Sequence, residues 1–170
     1  MSCELTKYKN IYFLGIGGVG MSGLAAWCSI KKYHVFGYDR EQNDYTKKLK
    51  SYGVNTHHNL LVEEIPEKYL NSKETLIIYT PAIKKNHLLY DFFSNKNFRI
   101  IKRAQLLKII SSNYHVIAIA GTHGKTTVSI MLSHLLKNSG YHPNAFFGGI
   151  SKNTESNFLI GNEKYMIIEA

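Results

Sequence analysis

Cysteine is nearly absent. Cys3 and Cys28 are the only two in 170 residues, and their spacing excludes a disulfide framework and offers no metal-ligand pair. The eight histidines form no HxH or HxxxH cluster, so a zinc site is not expected. No apolar run approaches the ~18 residues of a membrane span. The opening MSCELTKYKN also lacks the apolar core of a signal peptide, so the expectation is a cytoplasmic chain with no membrane partner. Arginine is scarce as well: Arg40, Arg99 and Arg103 stand against 18 lysines. Arginine is the usual reader of base edges, so this ratio argues against a nucleic-acid partner despite a formal charge of +9. The lysines are scattered, with Lys84-Lys85 read as a solvated loop, and the charge fits phosphate-bearing small ligands. There is no internal repeat and no low-complexity segment. With 44% hydrophobic and 19% charged residues, disorder and coiled coil are excluded.

What is present is an alternation of short apolar runs with amphipathic stretches, the pattern of an α/β fold with a parallel sheet. Strands are expected at 10–15, 34–38, 75–79, 98–101, 114–120, 145–148 and 165–169. Their Ile, Val, Phe and Tyr content suits strands covered on both faces. Helical stripes fall at Met21, Leu24, Ala25 and Cys28, at Leu88, Leu89, Phe92 and Phe93, and at Leu106, Leu107, Ile109 and Ile110. Trp27, on the first of these, is read as packing. Gly53 and Gly140 stand where helices over 43–52 and 126–139 would take a C-terminal cap. A boundary is expected near Ser111-Ser112-Asn113, giving a Rossmann-like domain over 1–111 and the opening of a second over 112–170. The second has too few strands for a complete nucleotide-binding sheet of about five. The chain is therefore expected to be a fragment whose unfinished sheet edge can pair with another copy, a route to self-association.

Two glycine loops carry the chemistry. The first, IYFLGIGGVGMSG over 11–23, runs from a strand through Gly15, Gly17, Gly18 and Gly20 into a helix. Glycines there permit the tight turn and a close approach of backbone to a diphosphate, while the helix N-terminus offers N–H groups and a positive dipole end. Asp39 closes the second strand, placed to accept hydrogen bonds from a ribose hydroxyl. This pattern leaves NAD, FAD and a UDP-sugar all open. The second loop, VIAIAGTHGKTT over 116–127, has the physics of a P-loop: backbone N–H groups around phosphates, Lys125 on their oxygens and a threonine hydroxyl for Mg²⁺. Only two residues separate Gly121 from Gly124, fewer than in the standard G-x-x-x-x-G-K-[ST]. Glu169 ends the last apolar run, where a carboxylate could share that Mg²⁺ with Thr126 or simply lie exposed.

GTHGKTT, with a first loop reading GIGGVGMSGLA, resembles the Mur ligase family. Tyr79-Thr80-Pro81-Ala82-Ile83, Ile101-Lys102-Arg103-Ala104 and Ile168-Glu169-Ala170 are similar to further stretches of that family. The first loop looks like that of members joining L-alanine to UDP-N-acetylmuramate. The resemblance implies a UDP-sugar domain in which Gly15, Gly17, Gly18, Val19 and Gly20 wrap the diphosphate, Asp39 faces the ribose, and His58 and Thr80 lie near the nucleotide. His57 replaces the glycine that usually precedes His58 in the family. It also implies a P-loop ATPase-type central domain, with ATP held by Gly121, Thr122, His123, Gly124, Lys125, Thr126 and Thr127. Lys125 would then be catalytic, His123 would have no chemical role of its own, and Mg²⁺ would sit on Thr126 and Glu169. The implied reaction belongs to peptidoglycan precursor synthesis, and so to cell shape and division. ATP activates the muramoyl carboxylate as an acyl phosphate, and the L-alanine amine displaces phosphate. A chain of this length is expected to be inactive by itself. Alternatives are the family's murein tripeptide-recycling ligase, a nicotinamide-dependent oxidoreductase built on the first loop, and a non-catalytic nucleotide-binding module.

Overall fold

Strand β1 (Asn10–Leu14) is buried along its whole length and lies at the middle of a five-stranded sheet, between β2 (His34–Tyr38) and β4 (Thr75–Tyr79). The computed structural model describes residues 4–84, 86–151, 156–161 and 164–169, so Cys3, Lys85 and Ala170 lie outside the described residues. The chain divides into two compact units, at Ile110 and Ser111. Among the described residues no helix is long and apolar enough to cross a membrane.

In the first unit every pairing is parallel, and the order is β3-β2-β1-β4-β5, with β3 (Asn55–His57) and β5 (Arg99–Lys102) at the edges. This is the doubly wound order. Strand order reverses between β1 and β4, and a ligand crevice opens at the carboxyl ends there. Alternation along the strands sends Tyr12, Leu14, Phe36, Tyr38 and Ile77 to one face. There they pack with Leu89 and Phe93 of α3 (Leu88–Asn95) and with Ile65, Tyr69 and Phe98. The opposite face carries α1 (Val19–Ile30), whose Met21, Leu24, Ala25, Trp27 and Cys28 are all buried. Trp27 is 2% exposed, consistent with the packing reading. Cys28 is wholly buried, and burial pushes its thiol pKa up, so it is inert. Helix α2 (Asp44–Leu49) opens on a capping box: Asn43 Oδ1 accepts from the Thr46 N–H at 3.0 Å, and Thr46 Oγ1 accepts from the Asn43 N–H at 2.9 Å. Gly53 takes φ +74° just past the 3₁₀ turn Lys50–Tyr52 that extends α2, and α4 (Arg103–Ser111) closes the unit.

The second unit has the sheet order β6-β9-β7-β8, from β6 (His115–Ile119), β7 (Asn144–Ser151), β8 (Ser156–Leu159) and β9 (Tyr165–Glu169). Helix α5 (Lys125–Asn138) crosses from β6 to β7 and packs on β7 and β9, and Gly140 follows it at φ +84°. Two departures from the sequence reading stand out. Strand β8 pairs antiparallel with β7, which a purely parallel expectation does not contain. Strand β6 is not covered on both faces: it pairs only with β9 among the described residues, and Val116 is 42% exposed.

Candidate functional site

The crevice predicted by strand order is present. A cleft of about 730 Å³ lies between the β1–α1 turn (Gly15, Gly17, Gly18), the end of β2 (Tyr38, Asp39, Arg40) and the segment after β4 (Thr80, Ala82, Ile83), with Asn43, Leu60 and His87 completing its walls. The turn is anchored by the Gly15 and Ile16 N–H groups, which donate to the Tyr38 carbonyl at 2.8 and 3.0 Å. Asp39 is held inward, its Oδ2 accepting the Gly17 N–H at 2.6 Å. That carboxylate takes an amide that the sequence reading gave to a diphosphate. A bound anion would therefore compete with it and free Asp39 for a hydroxyl.

Gly15, Gly17, Gly18, Asp39 and Thr80 are brought together around the cleft, while Val19 and Gly20 open α1. His58 is not among the lining residues; its Nδ1 pairs with the Asp39 carbonyl at 2.9 Å, so it braces the loop from behind. Three contributors were given no role at the site from the sequence, although Arg103 lies in one of the family-like stretches. The Asn43 amide donates to the Gly17 carbonyl at 3.1 Å, tying the α2 cap to the glycine loop. The Arg103 guanidinium lies against Gly20, so close that a Cβ there would meet Nη1 at 2.7 Å. It thus brings a fixed positive charge to the first turn of α1, where a phosphate would also be drawn. His87 lines the cleft with its Nδ1 buried and unpartnered, and burial holds its pKa below the ordinary histidine range against a partial offset from Asp91.

Beneath the end of β2 lies a buried polar contact. Tyr12 Oη and His57 Nε2 are 2.5 Å apart, and the His57 ring stacks on Phe36 at 5.4 Å. Burial pushes the Tyr12 phenol up, so it keeps its proton in this contact. The other ring nitrogen, Nδ1, sits 3.3 Å from Glu64 Oε2 without hydrogen-bond alignment. Burial lowers the His57 pKa more than Glu64 raises it. The consequence for stability has a definite sign. An unfolded histidine takes its proton near pH 6.5, whereas these two folded ones take it only at lower pH. Between those values the unfolded chain binds more protons, so stability rises with pH and is lost as pH falls through about 6.5. Urea unfolding followed by Trp27, the single tryptophan and a reporter of the first unit, should give a lower midpoint at pH 5 than at pH 7.5. Equal midpoints would contradict the buried, neutral state of both rings.

The second loop follows β6. Gly124 caps α5 at φ +76°, and Lys125 Nζ donates to the Gly121 carbonyl at 2.6 Å, folded over its own loop. Thr122, His123 and Thr127 are exposed around it. The Thr126 hydroxyl donates to Glu169 Oε2 at 3.0 Å, across from the end of β9. Glu169 Oε1 is buried without a partner. A hydroxyl and a carboxylate with a free oxygen are hard donors that fit Mg²⁺, which takes one or two carboxylates and leaves its other positions to water and phosphates. Among the described residues no group of three His, Cys, Asp or Glu side chains offers another cation site.

Comparison with known proteins places these features among relatives. The family model described as "Mur ligase family, catalytic domain" matches residues 10–115. The chain is 42% identical over 98% of its length to the UDP-N-acetylmuramate–L-alanine ligase of Christiangramia forsetii. It is 43% identical over 94% of its length to the enzyme of that name from Cytophaga hutchinsonii. It spans 37% and 34% of those two proteins, about a third of the length of the curated relatives it matches. Among solved structures, UDP-N-acetylmuramate-alanine ligase from Thermotoga maritima superposes with a TM-score of 0.82 at 26% identity, over 94% of this chain and 37% of that one. A murein peptide ligase from Psychrobacter arcticus gives 0.83 at 25%, over 95% and 37%.

Proposed function

The chain belongs to the Mur ligase family, and we propose that it carries the UDP-sugar site and the phosphate-gripping loop of an ATP-dependent ligase that joins L-alanine to UDP-N-acetylmuramate. The observation that carries this reading is the pairing, in one chain, of a switch-point cleft ringed by glycine backbone with a second loop whose Thr126 meets Glu169 at 3.0 Å. A nicotinamide-dependent oxidoreductase would use the first and leave the second without purpose. The relatives at 42 and 43% identity are both UDP-N-acetylmuramate–L-alanine ligases, which favours the alanine ligase over the murein tripeptide ligase.

In this reading the first unit binds and orients. Gly17 and Gly18 present backbone N–H groups to the diphosphate, Arg103 adds positive charge beside α1, and Asp39 turns to the ribose. In the second unit Lys125 leaves the Gly121 carbonyl for the phosphate oxygens of ATP, and Thr126 and Glu169 would hold Mg²⁺. Bound there, the metal would supply charge neutralisation during phosphoryl transfer to the muramoyl carboxylate. Phosphorylation gives that carboxylate a leaving group, which the L-alanine amine can then displace. The setting for such chemistry is cytoplasmic peptidoglycan precursor synthesis.

Calorimetric titration of the chain with UDP-N-acetylmuramate, then with NADH, tests the reading. Binding of the UDP-sugar that is lost in Asp39→Ala is the expected result. Binding of NADH with no response to the UDP-sugar would overturn it.

A further inference from the structure

Two adjacent glycines in β7, Gly148 and Gly149, differ in what surrounds them. Neither has a positive φ, so the backbone at both positions admits any residue. Glycine inside a strand weakens it and marks either a bulge or a close approach; the β7–β8 register shifts between Phe146 and Ser151, around both glycines, so their surroundings must tell the two roles apart. Among the described residues, a Cβ on Gly149 would meet only Thr126 Cγ2, at an ordinary 3.5 Å. A Cβ on Gly148 would lie 2.6 Å from Glu169 Oε2 and 3.3 Å from Thr126 Oγ1. It would wedge into the hydroxyl–carboxylate pair at the end of the P-loop helix. The backbone of Glu169 is held by its pairing with Ile119 of β6, and that of Ile168 before it by β6 and β7 together. The carboxylate is, however, the end of a rotatable side chain. The clash is thus relieved cheaply, by swinging Glu169 away from Thr126. The fold would lose little and the site would lose its geometry.

We propose that Gly148 is a positioning residue for the divalent cation: its bare Cα keeps open the space in which Glu169 reaches Thr126 with its second oxygen free. This rests on the phosphate-loop reading of the second unit. The test uses the ¹⁵N-labelled 170-residue chain with ATP and Mn²⁺, reading paramagnetic broadening of backbone amides. The parent and Gly149→Ala should show broadening centred on residues 124–127 and 148–149. Gly148→Ala should keep its dispersed spectrum and its thermal midpoint while its Mn²⁺ affinity falls about 10- to 100-fold, the usual penalty for disturbing the groups that orient a metal's ligands. Parental affinity in Gly148→Ala would overturn the proposal and leave the phosphate-loop reading in place. A Gly148→Ala chain that fails to fold would make this a folding residue and would also overturn it. Absence of localised broadening in the parent would overturn the phosphate-loop reading, and the proposal with it.

Discussion

Phe93→Ala should cost the first unit about 3–5 kcal/mol, the range for removing a fully buried aromatic ring from a core that cannot collapse around the void. The ring is completely buried on α3, with ring centroids of Tyr12 at 4.9 Å, Phe98 at 5.0 Å and Phe92 at 5.3 Å. Tyr12 belongs to the central strand, Phe92 to the same helix and Phe98 to the turn into β5, so one side chain joins three parts of the unit. Tilted and edge-on contacts of this kind add to the area buried. Domains of this size are stable by about 5–15 kcal/mol, so the loss is a large share of the total. With a urea slope of about 1.5 kcal/mol/M, the Trp27-reported midpoint should fall by about 2–3 M. Leu88→Ala on the same helix is the control. Leu88 is 54% exposed, and its truncation should change stability by no more than about 0.5 kcal/mol. A loss below about 1 kcal/mol in Phe93→Ala would mean that α3 does not pack on the sheet as described.

The sequence pattern shows most of this architecture because its signals are local. Strands β1, β2 and β4 are mainly apolar after a polar first residue, and each glycine loop sits between a strand and a helix with the required spacing. Strand β3 leaves no such signal. Asn55–His57 is three residues long and polar, and it is a strand because β2 offers a free parallel edge beside it. Strand β8 is four residues, and it takes its direction from pairing with β7 rather than from its own periodicity. The site divides the same way. Asp39 is legible because the motif fixes its distance from the loop. Arg103 and Asn43 reach the loop across 83 and 26 residues of chain, and no local pattern encodes those contacts. A general rule does point to Arg103, since it follows immediately on the carboxyl end of β5, where ligands of parallel sheets gather. His87 is hidden differently: it looks like a plain residue before a helix, and only the walls around it leave its Nδ1 buried and unpartnered.

Gly15→Ala should damage the cleft by two routes that a second substitution can separate. Gly15 has φ +82°, where an L side chain costs about 1–3 kcal/mol. A Cβ there would also lie 2.6 Å from Thr80 Cγ2 and 3.5 Å from Ile83 Cγ1, both on the opposite wall of the cleft. Thr80 cannot give way as a long side chain could, because it is short and branched at Cβ. Relief therefore requires the 80–84 segment or the glycine loop to move, and the loop is bound to Tyr38 through the amides of Gly15 and Ile16. The two walls should separate, and the amides of Gly17 and Gly18 should lose their aim. We expect the Kd for UDP-N-acetylmuramate to rise about a hundredfold, equivalent to about 2.7 kcal/mol, with a lower urea midpoint in the first unit. Thr80→Ser deletes the colliding methyl and keeps the hydroxyl. In the double variant Gly15→Ala/Thr80→Ser, the steric part should be recovered and the cost of the left-handed backbone should remain, so the two substitutions will not add. If the double variant binds no better than Gly15→Ala, backbone conformation alone holds glycine at this position. If Gly15→Ala binds as the parent does, the diphosphate is not gripped by this loop.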